Sequence, residues 1–566
     1  MQNIIYMLLR RMRLPLIVVI LAYAVSILGM VLIPGVDDQG NPWRMDFFHA
    51  FYFVSFMGST IGFGEIPYPF TDAQRAWTTV AMYTTVISWL YAIGTLFSLF
   101  QDRGLRRIVN YTVFTRTVHA IREPFYIVCG LSDAGNLLVG ELARRRIRCV
   151  VVETSENRLN ALHLEDLPVH VPGLQADATD ATALLAAGLK SRYCAGVVAL
   201  TNTDHLNLTI AITSKLLAPK LQVIAYSGSH DSQANMASFD TDYIINPFDT
   251  FAERFSMMFQ SPSMYLIYEW LTSIREAPLK DFTSPPKGDW VLCGYGRFGK
   301  AVQRSLTFEG LQTVIIEADI VKTGAPQGTI EGRGTEAITL YEADIENAVG
   351  IIAGTDDDAN NLSIIITAKD INKELFTVAR QNQRGNDPIF KAAAIDMVMQ
   401  PGTIIGQRIV DLLTTPLLGD FLRLARQQSE SWANVLVSRV VGVLSDRPPD
   451  SWTLAISRRQ TPAVIEMYRR GYTITLGMLC TDPRDLSATL PCVPLFLKNN
   501  NKDLLLPGNE TVVQPGDRLL FCGQQQAETH MRWTTNNFNA LNFVCTGRDQ
   551  PSGYLWRWLT ERYGGQ

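Results

Sequence analysis

Two stretches of this chain carry no charge at all: Leu14–Ile33, of twenty residues, and Ala76–Phe100, of twenty-five. At about 1.5 Å per residue a helix of twenty residues spans roughly 30 Å, the thickness of the hydrocarbon core of a bilayer. The first run is longer than the apolar part of a secretory leader, and no small-residue cleavage site follows it, so both runs are expected to remain as membrane spans. The longer second run permits tilt. Arg10, Arg11 and Arg13 stand before the first span, and Arg103, Arg106 and Arg107 follow the second. That bias places both termini on the cytoplasmic side of a cell (inner) membrane, with everything beyond residue 100 beneath it. The 566 residues predict three to four domains at about 150 residues each. Lys+Arg 50 against Asp+Glu 54 leaves no basic excess, which excludes nucleic acid as the main partner.

Between the spans lies Asp46–Met57, apolar but too short to cross a bilayer, and then Gly58-Ser59-Thr60-Ile61-Gly62-Phe63-Gly64-Glu65. A half-helix running into a loop with alternating glycines reads as a re-entrant segment, tolerated at membrane depth only where protein or water surrounds it. Gly62 and Gly64 can take the backbone angles that aim successive carbonyls at one axis. With the Thr60 hydroxyl, four such loops would replace an ion's hydration shell with rings of oxygen. The run Thr60-Ile61-Gly62-Phe63-Gly64 resembles the potassium-channel selectivity filter, commonly T-V-G-Y-G, and Glu65 stands where that family often has Asp. The resemblance implies K+ as permeant ion, held by filter oxygens of Thr60, Ile61, Gly62 and Phe63. The second span would then line the pore, with Gly94 as either a gating hinge or a packing glycine. No arginine ladder precedes the pore, so control is expected from the cytoplasmic mass.

That mass is duplicated. The strand-like run Phe125–Gly130 enters Leu131-Ser132-Asp133-Ala134-Gly135, a helix follows, and a second strand ends at Glu153. The same order recurs 164 residues later, from Trp290–Cys293 through Gly294-Tyr295-Gly296-Arg297-Phe298-Gly299 to Glu317. Further along, NLTIAITSK from Asn207 matches NLSIIITAK from Asn361, and Asn246-Pro247 matches Gln400-Pro401, at an offset of 154. Each copy alternates strand and helix in the manner of an open parallel sheet.

In the second copy, G-x-G-x-x-G follows a strand, opens a helix and has an acid eighteen residues beyond Gly299. Gly294 would make the tight turn, Gly296 would admit a pyrophosphate, Gly299 would let helix and strand approach, and the helix start would favour the anion. Glu317 would accept ribose hydroxyls, which favours NAD or an adenosine nucleotide such as ADP. Arg297 is either a phosphate partner or a solvated loop arginine. In the first copy Gly130 and Gly135 are kept, but Ser132 replaces the middle glycine and Asp133 adds a negative charge. Glu153 keeps the acid, while Asp177 aligns with Arg333, so the copies are expected to bind different ligands.

A duplicated Rossmann-like unit joined to a pore resembles the RCK (KTN) family, over about 110–425, and most of all its GsuK-type, multi-ligand-gated prokaryotic potassium channels. Each copy ends in the helix pair expected of that family, from Pro247 and from Pro401, with turns at Pro262 and Pro416. The run VVQPGDRLLFCG, with Pro515-Gly516-Asp517 as a turn, resembles the small C-terminal RCK subdomain. The expected fold is an α-helical two-span pore domain fused to two α/β Rossmann-like RCK domains and a small strand-rich C-terminal subdomain. Its divisions are 1–100 pore, 101–120 linker, 121–280 first RCK copy, 281–430 second copy and 431–566 subdomain and tail. The resemblance implies a homotetramer in the lipid bilayer, gated by NAD or ADP; a divalent site for Ca2+ is left open, with no residues assigned to it.

Three bland features complete the reading. The eight cysteines form no C-x-x-C pair and sit in apolar runs, as buried thiols do. Asp356-Asp357-Asp358 lacks the ligand spacing of a calcium loop and reads as a helix-capping turn. His49 reads as a packed or interfacial residue rather than a proton sensor. A membrane-bound NAD-dependent oxidoreductase is the rival, disfavoured because no catalytic acid, base or nucleophile can be placed, so no enzyme is expected. A potassium transporter subunit is the other rival, disfavoured because one pore is fused to each chain. In the tail, LNFVCTG is expected to be a strand and YLWRWL an aromatic helix.

Overall fold

The computed structural model describes residues 2–64, 67–101, 103–272, 283–443, 448–499 and 502–547. Glu65 and the YLWRWL segment lie outside the described residues. The chain divides into two compact units, 1–120 and 121–566.

In the first unit the two charge-free runs are helices, Gln2–Leu32 and Asp72–Gln101, each long and apolar enough to span a membrane. Trp77 of the second donates its indole N–H to the Ser26 carbonyl of the first at 3.1 Å. The half-helix Phe47–Gly58 starts where the Asp46 carboxylate accepts the His49 amide at 2.8 Å, an N-cap that satisfies one orphan donor of the first turn. His49 also pairs through Nδ1 with Asp46, at 2.9 Å, so it braces this cap. Ala50, Phe53, Val54 and Phe56 bury one side of the half-helix against Ile27, Met30 and Met45. The stretch expected as a linker is a helix, Arg103–Ala120.

In the second unit each copy builds a six-stranded parallel sheet. The first runs, edge to edge, Gly173–Gln175, Arg148–Glu153, Phe125–Cys129, Cys194–Ala199, Gln222–Tyr226, Tyr243–Ile245. The second repeats it as Ile330–Glu331, Thr313–Glu317, Trp290–Cys293, Gly350–Ala353, Phe376–Arg380, Met397–Met399. In both, the chain reverses direction beside the first strand, so a crevice opens where Gly130 or Gly294 leaves its strand. Glu153 registers with Gln175 and Glu317 with Glu331, which makes Asp177 and Arg333 structural equivalents, two residues beyond each pair.

The helix that closes each copy packs on the other copy. Helix Pro247–Gln260 presents Phe248, Phe251, Phe255 and Met258, at three- and four-residue steps, to Trp290, Leu292 and Ile315 of the second sheet and Phe298 of the helix that follows its first strand. Helix Pro401–Thr414 sends Ile405, Ile409 and Val410 into the first core, among Val128, Leu138, Leu142 and Val151. Burying each of these large side chains contributes about 1.5–3 kcal/mol, so each core depends on a helix lent by the other.

Helices Pro262–Thr272, Pro416–Ala425 and Glu430–Val441 share a core with the C-terminal lobe through Val493, Leu495, Phe496 and Leu520. The lobe is a four-stranded antiparallel sheet in the order Asp450–Ala455, Arg518–Gly523, Cys492–Asn499, Lys502–Leu505. The turn before Arg518 is as expected: Gly516 has φ 96°, and the buried Asp517 accepts the Gln514 amide at 2.8 Å. Residues 430–441 are a helix that joins this shared core, and one expectation fails: LNFVCTG belongs to helix Phe538–Thr546, because Leu541, with Phe538 and Cys545, packs onto the lobe core and Asn537 caps the helix start.

Candidate functional site

Met57, at the end of the half-helix, accepts the Thr60 amide at 3.1 Å, and Phe56 accepts those of Ile61 and Gly62 at 3.1 and 3.4 Å. These bonds tie the start of the loop to the half-helix. Thr60, Gly62 and Gly64 have φ of 61°, 66° and 77°, so every second residue is left-handed. In an extended strand successive carbonyls face opposite ways; reversing the handedness at alternate residues swings them to one side. The glycines adopt this freely, whereas a β-branched residue does not, so Thr60 is held there against a backbone cost of about 1–2 kcal/mol. The left-handed Thr60 was not legible in the sequence. Ile61 and Phe63 are exposed on the loop, with the Phe63 ring edge-on to Phe56 at 6.4 Å. Gly94 lies inside helix Asp72–Gln101, and a Cβ built on it meets nothing within 4 Å, so no neighbour in this chain requires a glycine there.

The two glycine turns in the second unit are closely alike. Gly130 and Gly294 have φ of 99° and 95°, and a Cβ at Gly135 or Gly299 would lie 2.2 or 2.0 Å from the carbonyl oxygen of Gly130 or Gly294. Glu153 accepts the Leu131 amide at 2.6 Å and the Ser155 amide at 2.8 Å. Glu317 likewise accepts the amides of Tyr295 and Asp319. Each acid therefore braces the turn after its glycine. Burial raises the Glu153 pKa, but the Leu131 and Ser155 amides, the Thr154 hydroxyl and Arg158 outweigh it and hold the carboxyl below the usual range.

The helix starts differ. Ser132 caps helix Asp133–Arg144 by accepting the Gly135 amide, and its hydroxyl donates to Leu200 O at 3.0 Å. Gly296 leaves helix Arg297–Phe308 without a side-chain cap, and a Cβ there would meet only open space. The second copy thus presents open amides at the start of a twelve-residue helix, the arrangement that favours a phosphate.

Several predicted residues face elsewhere than the sequence implied. Phe298 is fully buried, 5.3 Å from Phe251, so it is core rather than ligand contact. The Tyr295 hydroxyl donates to Gln303 Oε1 at 3.0 Å, which leaves its backbone amide as the part that shapes the turn. Asp133 accepts the Arg384 amide at 3.2 Å across the seam between the copies. Arg297 also crosses that seam, lying 3.8 Å from Asp204 and over the Phe248 ring, on which Arg380 stands as well. Burial lowers the Arg380 pKa, and the Arg297 charge lowers it further. Asp177 is exposed and closes its own turn onto Thr179.

Asp357 caps its helix as expected, by accepting the Asn360 amide at 2.8 Å. The buried Asp358 accepts N–H groups of Asn382, Gln383 and Asn386, an environment built for an anion rather than for calcium. Asn207 and Asn361, which marked the repeat, perform one task. Each binds both backbone groups of a threonine, Thr201 or Thr355, and reaches the carbonyl of Tyr226 or Arg380 at the next strand end. That role, and those of Asp204 and Arg380, escaped the sequence because their partners come from distant strands.

A family model described as "Ion channel" matches residues 15–102, and one described as "TrkA-N domain" matches twice, at 126–247 and 290–401. The "Probable potassium channel protein 2" of Methanocaldococcus jannaschii is 27% identical over 156 residues, covering 26% of this chain and 46% of that protein. The "Trk system potassium uptake protein TrkA homolog" of Pyrococcus abyssi is 32% identical over 136 residues, 22% of this chain and 60% of its own length. The chain thus spans less than two thirds of either relative. A solved structure of the GsuK channel aligns with a TM-score of 0.47 at 16% identity, covering 96% of this chain and 100% of the other. The helical front unit is thus similar to an ion-channel domain, and each of the two parallel sheets to a TrkA-N (RCK) domain.

Proposed function

We propose that this chain is the subunit of a potassium-selective channel, a homotetramer in the lipid bilayer with both termini in the cytoplasm, gated by a nucleotide at the glycine turns. The observation that carries the reading is the loop Thr60–Gly64, left-handed at every second residue, at the end of a capped half-helix between two spans. Four such loops would offer rings of backbone carbonyls in place of an ion's water, with Thr60, Ile61, Gly62 and Phe63 as the oxygen donors.

The second copy is the better nucleotide site. Gly294, Gly296 and Gly299 with the uncapped helix start would receive a pyrophosphate, and Glu317 has lone pairs beyond the two that brace Tyr295 and Asp319. NAD or ADP fits this reading. In the first copy Ser132 fills the helix start, so Gly130, Gly135 and Glu153 would hold a ligand with less phosphate contact. A ligand that binds one arrangement of the copies better than another shifts the pore by that difference, and Gly94 is the proposed bending point. The relatives named as potassium channels support a pore rather than an enzyme.

The test is single-channel recording of purified protein in planar bilayers with potassium, adding NAD and ADP separately to the cytoplasmic side. A potassium-selective current whose open probability changes with one nucleotide is expected. Current that ignores both nucleotides would remove the ligand assignment; folded tetramers that pass no current would remove the pore.

A further inference from the structure

Among the described residues, the backbone bonds that hold the loop Thr60–Gly64 run to the carbonyls of Phe56 and Met57 at the end of the half-helix. Phe63 carries no hydroxyl with which to bond the wall behind it, and its ring meets Phe56 of the same half-helix. The position of the loop therefore follows the position of the half-helix end. Gly58 is where that end meets the two spans.

Gly58 is buried. A Cβ built on it would lie 2.7 Å from the Tyr23 hydroxyl oxygen and 3.3 Å from the Thr85 Cβ, so a glycine is what lets both spans come this close. The Tyr23 hydroxyl in turn accepts the indole N–H of Trp89 at 2.9 Å. Tyr23 and Trp89 each stand nine residues, about 13 Å of helix, from the nearer end of their apolar spans, Met12–Leu32 and Asp72–Ser98. That is away from the membrane interfaces where such rings usually collect. A polar bond between the spans thus lies behind the residue from which the loop departs. Trp77 makes a bond of the same kind, to the Ser26 carbonyl, but the glycine it covers is Gly29 of the first span rather than one of the half-helix.

We propose that Tyr23 and Trp89 are positioning residues for ion selectivity: their bond fixes the Tyr23 hydroxyl against Gly58 and so holds the half-helix end where the loop carbonyls share one axis. This rests on the pore reading above. In hydrocarbon an indole N–H and a phenol have no water to turn to, so the bond, once made, keeps both rings in place. Without it the Tyr23 ring swings, Gly58 loses its stop and the carbonyls spread. Rings of oxygen that are no longer held together discriminate less between potassium and sodium.

The test is the potassium-to-sodium permeability ratio, read from reversal potentials of the purified full chain in planar bilayers. Tyr23→Phe removes the hydroxyl and keeps the ring, and Trp89→Phe removes the N–H, so both should keep the wild-type elution volume on gel filtration. Each should lower the ratio about threefold or more, the factor to which a hydrogen bond between membrane helices corresponds. The double variant should match the single ones, because all three lose the same bond. Trp77→Phe breaks the other bond between the spans and should leave the ratio unchanged. Loss of all current in Tyr23→Phe and Trp89→Phe, with Trp77→Phe conducting, would be the same displacement in a larger form. A wild-type ratio in Tyr23→Phe and Trp89→Phe, or an equal fall in Trp77→Phe, would overturn the proposal and leave the pore standing. A wild type without potassium-selective current would overturn the pore reading and this one with it.

Discussion

Arg297 Nη1 lies 3.8 Å from Asp204 Oδ2, so the second glycine turn is tied to the start of helix Asp204–Leu217 of the first copy. Asp133, at the position equivalent to Arg297, is held by the Arg384 amide in the opposite direction. The seam is thus pseudo-symmetric in place and inverted in charge.

A phosphate at the second turn would compete with Asp204 for Arg297. Because Arg297 is 54% exposed, the pair is worth at most about 1 kcal/mol. Asp204→Asn keeps the acceptor for the Gly228 amide and should raise ADP affinity up to about fivefold by calorimetry. An unchanged affinity would show that Arg297 is not shared between the two.

Gly62→Ala places a side chain at φ 66°, where an L-residue costs about 1–2 kcal/mol. On the proposed reading, potassium-selective current should vanish while the protein keeps its elution volume on gel filtration. Normal selectivity in this variant would argue against carbonyls aligned by alternating handedness.

Glu153→Gln probes the first turn. The depressed carboxyl contributes stability that is present above the ordinary glutamate pKa of about 4.3 and is lost as pH falls through its folded value. The variant should therefore lose about 1–3 kcal/mol at pH 7 and progressively less below about pH 4. Urea unfolding across that range reads it; a deficit independent of pH would mean that shape rather than charge braces Leu131.

Ile409→Ala removes a fully buried side chain that sits on the second copy's helix but in the first copy's core. A loss of about 2–4 kcal/mol is expected. Hydrogen exchange should quicken in Phe125–Cys129 before Trp290–Cys293, and protection lost only from the second sheet would show that the lent helix adds nothing to the first.

The spans, the half-helix, the duplication and both glycine turns were all legible in the sequence, because each rests on local rules: uncharged length, glycine where φ is positive, hydrophobic period. The offsets of 164 and 154 even anticipated the equivalence of Asn207 and Asn361. Tertiary structure decided what depends on distant neighbours. Phe298 lies inside a G-x-G-x-x-G motif yet is buried, because Phe248 and Phe251 arrive from the other copy to cover it. Arg297 and Asp133 point across the seam, because each copy's closing helix is lent to the other and brings the two crevices together. LNFVCTG, apolar enough for a strand, is a helix because Asn537 caps it and the lobe core receives Phe538, Leu541 and Cys545, at three- and four-residue steps, on one face. Local sequence sets which backbone shapes are cheap; packing against residues hundreds of positions away chooses among them and fixes where each side chain points.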